Sequence, residues 1–170
     1  DCVTGTCYTF DGVDDSINIT DSSTLEPNYI TLEAWVKWDG TSGEQEIIGK
    51  WGSPTNAYVM GIDPTGNLFV KIINTTPTET VTTAPATFRT DWTYIASTFD
   101  GSVVRLYKNS VEVASNNQTG TLNTNNAQIL RIGALSNSES YGFGGNIDNV
   151  RIYNKALTSA EIQDHYEKVK

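Results

Sequence analysis

The chain has 170 residues, 38% of them apolar and 10% aromatic, and a formal net charge of −9 from 20 acidic and 11 basic side chains. That length suits one domain over 1–170 with a core of its own, and aromatics distributed along it argue against disorder. The acidity argues against a nucleic-acid partner, because phosphate contacts need clustered Lys and Arg, and no window approaches the roughly 18 apolar residues of a membrane-inserting helix.

At the N-terminus, Cys2 and Cys7 are the only cysteines. A disulfide across so short a loop removes little unfolded-state entropy but pins the chain end; the alternative is two free thiols. Two cysteines and a single histidine cannot complete a usual four-ligand zinc site. The disulfide is the expected state, and it implies an oxidising compartment and hence a secreted or cell-surface protein. No signal-peptide pattern opens the chain, as expected of a mature or excised secreted segment. Asn-x-Ser/Thr triplets at Asn18, Asn74 and Asn117 fit the same compartment, although a Thr- and Asn-rich chain also produces them by chance.

Beyond this loop nearly every apolar run is short, alternating and rich in β-branched or aromatic residues. Segment 29–38 puts Ile30, Leu32, Ala34, Val36 and Trp38 on a core face, and Thr31, Glu33, Trp35 and Lys37 on the other. Segments 58–62 and 68–73 flank Asp63-Pro64-Thr65-Gly66, which predicts a hairpin. Segments 92–99, 103–107 and 111–114, with turns at Gly101 and at Asn109-Ser110, predict a three-strand meander. Further strands follow at 129–132 and 145–153. Near the C-terminus Thr158 or Ser159 caps a helix, Glu161 stands at capping-box spacing from Thr158, and Ile162 and Tyr166 share one face. The sum is an all-β, two-sheet antiparallel β-sandwich of jelly-roll type with a short C-terminal helix.

Three segments carry a resemblance: Phe10-Asp11-Gly12-Val13-Asp14-Asp15; the run from Trp92 through Asp100-Gly101 to Tyr107; and Gly145-Asn146-Ile147-Asp148-Asn149-Val150-Arg151-Ile152-Tyr153 with the residues to Leu157. In order and spacing the chain resembles the laminin-G-like jelly-roll domains of the concanavalin A-like lectin/glucanase superfamily. One departure is Asn109-Ser110, where relatives commonly carry Asn-Gly. The resemblance implies two curved antiparallel sheets, often a bound Ca²⁺, and a place within larger secreted or surface proteins. Roles in that family run from sugar binding and adhesion to spacing between modules, so fold alone does not choose among them.

Catalysis is not expected. The glucanases of the superfamily place their carboxylates in a Glu-x-Asp-x-Glu type run, which this chain lacks; Glu44 and Glu46 come nearest, in a loop or strand start. His165 reads as a solvated surface side chain, and no Gly-x-Ser-x-Gly elbow or phosphate-binding glycine loop is present. For metal, Asp11, Asp14 and Asp15 cluster near the first strand, and Asp148 lies in a motif that the resemblance pairs with it. A structural Ca²⁺ there would tie the two chain ends; the alternative is that these aspartates accept backbone hydrogen bonds in turns, or that Asp148 pairs with Arg151. For sugar, Trp51, Tyr58, Tyr141 and Phe143 are candidate stacking platforms, while Trp35 and Trp92 are assigned to packing. Aromatics beside glycines, as at Tyr141 and Phe143, also lid the ends of sandwiches. The partner expected is a glycan, in a carbohydrate-binding or adhesive module, or else a neighbouring protein, in a structural domain of a surface appendage, cell envelope or virion.

Overall fold

The computed structural model describes residues 1–52, 55–75, 79–85, 91–124, 127–135 and 141–169. In chain order the strands are β1 Tyr8–Asp11, β2 Ile17–Ile19, β3 Ile30–Trp38, β4 Gln45–Lys50, β5 Tyr58–Ile62 and β6 Asn67–Ile73. They continue with β7 Glu79–Pro85, β8 Thr93–Phe99, β9 Val103–Lys108, β10 Val111–Asn117, β11 Leu130–Ile132 and β12 Gly144–Tyr153, and helix α1 spans Ser159–Val169. Two six-stranded antiparallel sheets result: sheet A in the order β1-β12-β3-β8-β9-β10 and sheet B in the order β2-β11-β4-β5-β6-β7.

The core lies between the sheets. Ile30, Leu32, Ala34, Val36 and Trp38 form the inner face of β3, as their alternation dictates, and meet Ile48, Met60, Ile62, Val70 and Ile72 of sheet B in one buried cluster. The β5–β6 hairpin turns where expected, its Asp63 carboxylate accepting from the backbone N–H groups of Thr65 at 2.8 Å and Asn67 at 3.0 Å. The β8–β9–β10 meander also forms, and both residues of the Asn109-Ser110 turn take positive φ, 48° and 67°.

The second face of β3 is buried as well. Helix α1 packs Ile162 and Tyr166, with Leu157 just ahead of it, onto Trp35, Tyr94 and Tyr107 of sheet A, with Tyr166 stacked on Trp35 at 5.6 Å between ring centroids. The helix starts in a capping box: Glu161 N–H donates to Thr158 Oγ1 at 3.2 Å, and Thr158 N–H donates to Glu161 Oε2 at 2.8 Å. His165 is not the solvated side chain expected. Its Nδ1 lies 2.9 Å from Oε1 of Glu33, which is fully buried, and Arg151 approaches the other oxygen at 3.9 Å. A carboxylate held out of water needs such partners, and His165, three residues from the buried Ile162, falls on the inward side of the helix.

Asp148 marks a bulge between β12 and β3, with Asn149 at φ 50°. Its Oδ2 accepts from Val3 and Thr4 N–H, both at 3.0 Å, and Oδ1 from Asn149 N–H at 2.7 Å. The carboxylate therefore anchors the N-terminal loop, in which the Cys2 and Cys7 sulfurs are at bonding distance and the Cα atoms 5.4 Å apart. Among the described residues, no helix is long and apolar enough to cross a membrane.

Candidate functional site

Helix α1 covers Trp35, Tyr94, Ala96 and Tyr107 on the outer face of sheet A, and the other broad face is the outer face of sheet B, where β4 and β5 are buried along their whole length. Strand register runs one row across all six strands of that face, Asn18, Arg131, Gly49, Val59, Lys71 and Val81. The adjoining row is Glu46, Gly61, Phe69 and Thr83. Trp51, just past β4, packs with Val59 and Phe69 in a cluster apart from the main core, flanked by Ile73 and Leu135.

Gly61 explains how the second row is filled. A Cβ at that position would meet the Phe69 ring at 2.8 Å, so the absence of a side chain lets the ring lie across the sheet. Lys71 Nζ sits 4.5 Å from the Phe69 ring centroid and 2.6 Å from a Glu44 oxygen. Toward β11, Arg131 donates to Asn18 Oδ1 at 2.6 Å and to the Leu135 carbonyl at 2.9 Å. One face thus carries an aromatic and aliphatic floor with a lysine, an arginine and two glutamates set around it.

Glu46 differs from its neighbours. It is 1% exposed, its Oε2 has no hydrogen-bond partner among the described residues, and its own N–H donates to the Tyr141 carbonyl at 2.9 Å. Burial pushes its carboxyl from the ordinary 4.5 up to about 8, with the charge of Glu44 adding and that of Lys71 opposing.

Of the four aromatic platforms expected from sequence, the structure places two in the core. Tyr58 is 1% exposed, faces inward from β5 and donates its hydroxyl to the Leu25 carbonyl, while Phe143 is fully buried against Phe10. Neither can stack on a sugar without opening the sandwich: strand alternation turns Tyr58 inward from β5, and Phe143, just before β12, is packed edge-on against Phe10. Trp51 belongs to the outer cluster and is 9% exposed; Tyr141 is 47% exposed, with φ 60°. Trp35 and Trp92 pack under α1 as assigned.

The four aspartates do not converge. Ligand oxygens of Asp11, Asp14 and Asp15 lie within 4.8 Å of one another at the surface. Asp148, committed to the N-terminal loop, stands opposite Trp35 on β12, beyond the Gly144 that pairs with Asp11. The three grouped carboxylates offer hard oxygen donors of the kind Ca²⁺ takes, but two of them already serve turn amides: Asp11 accepts from Val13 N–H at 2.8 Å and Asp15 from Asp11 N–H at 3.0 Å.

Comparison with known proteins follows the same outline. The CBM40 domain of the Ruminococcus gnavus IT-sialidase, bound to α2,3-sialyllactose, is similar in fold with a TM-score of 0.73 at 15% identity, over 95% of this chain and 98% of that one. Domain 4 of AbnA, an extracellular arabinanase of Geobacillus stearothermophilus in complex with arabinotriose, gives 0.67 at 21% identity, over 95% and 81%. Mouse pappalysin-1 is 25% identical over 93% of this chain, which spans only 11% of that protein's length. The laminin G-like family model described as the concanavalin A-like lectin/glucanases superfamily matches residues 11–163, and the chain belongs to that superfamily.

Proposed function

We propose that this domain is a non-catalytic carbohydrate-binding module that takes its glycan on the outer face of sheet B. The observation that carries this reading is the grouping of Trp51, Phe69, Glu44, Lys71 and Arg131 on the outer face of sheet B, away from α1. The Phe69 ring is 1% exposed and lies beneath Lys71, and Trp51 is 9% exposed, so stacking on the apolar side of a pyranose requires Lys71 to swing aside, while the charged and amide groups around the ring suit hydroxyls. Structures of similar fold that hold oligosaccharides support it.

A panel of immobilised glycans, including sialyllactose and arabinotriose, tests the reading. The folded domain should retain a defined sugar class, and Lys71→Ala, shown by its melting curve to be still folded, should weaken that retention at least tenfold. Retention of no sugar by folded protein would refute it.

The same proposal places the domain outside the cell, with Cys2–Cys7 oxidised, within a larger protein. Intact mass under non-reducing conditions checks the bond, and two alkylatable thiols would contradict it. Calcium enters only as a structural ion at Asp11, Asp14 and Asp15, without Asp148. Its addition should raise the melting temperature, and a curve indifferent to Ca²⁺ and chelator would remove it.

A further inference from the structure

Among the described residues, the carboxyl on the outer face of sheet B with an unpaired buried oxygen is that of Glu46. Its Oε2 is buried and unpaired, and such an atom is costly unless something completes its hydrogen bonding. Neighbouring polar groups do not. Gln45, on the opposite side of β4, accepts from Gly144 N–H at 3.0 Å through Oε1, and Glu44 is held by Lys71 at 2.6 Å.

We propose that the Glu46 carboxyl is the hydrogen-bond donor that fixes the ligand in this site, its O–H at Oε2 donating to a sugar hydroxyl oxygen. This rests on the glycan-binding reading of the same face and names the group that selects the ligand. An uncharged hydroxyl is the fitting partner. A neutral acid can donate, and the Lys71–Glu44 pair beside it has no net charge to recruit an ion.

The charged groups acting on Glu46 are Glu44 ahead of β4 and Lys71 on β6; β5 presents only Gly61, and the returning chain its Tyr141 carbonyl. Glu44 and Lys71 are long side chains, 24% and 19% exposed, and their rotation is the movement the proposal requires for a hydroxyl to reach Oε2. Burial keeps the proton on Glu46 at neutral pH, which is the state that donates. Above about 8 the carboxyl ionises, the donor is lost and a second negative charge stands beside Glu44.

The test measures retention on the same glycan panel at pH 6 and pH 9 for the wild type, Glu46→Gln and Glu46→Met, with melting curves for each. The expected result is a wild type that loses at least tenfold affinity between the two pH values. Glu46→Gln, which keeps a donor and cannot titrate, should bind at both; Glu46→Met should fold and bind at neither. Equal binding by the wild type and Glu46→Met, or a wild-type affinity flat across the range while a sugar is retained, overturns the role of Glu46 and leaves the glycan reading standing. No sugar retained by the wild type at either pH overturns both.

Discussion

Glu46 makes the stability of the domain depend on pH whether or not a ligand is present. Unfolded, its carboxyl ionises near the ordinary 4.5; folded, it holds its proton up to about 8. The contribution is therefore fully present below the lower value and is lost as pH rises between the two, by up to about 1.4 kcal/mol per pH unit. Urea denaturation at pH 5 and pH 8 should show Glu46→Gln gaining on the wild type toward the higher pH; a constant difference would contradict this. Ser110, at φ 67°, is a second informative residue, since a side chain in the left-handed region is strained where glycine is not. Ser110→Gly should raise the unfolding free energy by about 1 kcal/mol, read as a higher urea midpoint at constant slope, and a lowered midpoint would refute it.

At the scale of elements, legibility followed alternation. Strand β3 announced its inner face through period two, and the β5–β6 hairpin was visible in Pro64 and Gly66. Strand β4 was not, because the register shift between Glu46 and Ile48 breaks its alternation. Strand β7 misleads outright: Thr80, Thr82 and Ala84 point inward while Val81 is 40% exposed. The helix was legible in its capping box, but its contact with Glu33 was not, since that contact joins residues 132 positions apart. This pairing is open to test. His165→Ala leaves the buried Glu33 carboxylate without its nearest partner and should cost about 1–3 kcal/mol. A double-mutant cycle with Glu33→Gln should return a positive coupling, and additive costs would deny the interaction.

For the whole molecule, the division of labour between the two sheets decides where a ligand can bind. Sheet A gives the Trp35, Tyr94 and Tyr107 part of its outer face to α1, whereas sheet B carries the Trp51–Phe69 cluster and the charges around it on its outer face. Composition and motifs reached the sandwich and the family. They could not tell Trp51, on the outer side, from Tyr58 and Phe143 in the core, because an aromatic at a strand end or in a polar loop looks alike in both places. Strand register, which sequence does not print, brought Phe69, Lys71 and Glu46 together. The most direct measurement is a ¹⁵N chemical-shift titration of the labelled domain with the best-retained sugar of the panel. The expected result is that the largest shifts fall on the amides of Glu46, Gly61, Phe69, Lys71 and Thr83. Shifts centred instead on β1 and β2, or on the α1 side of sheet A, would contradict binding on sheet B.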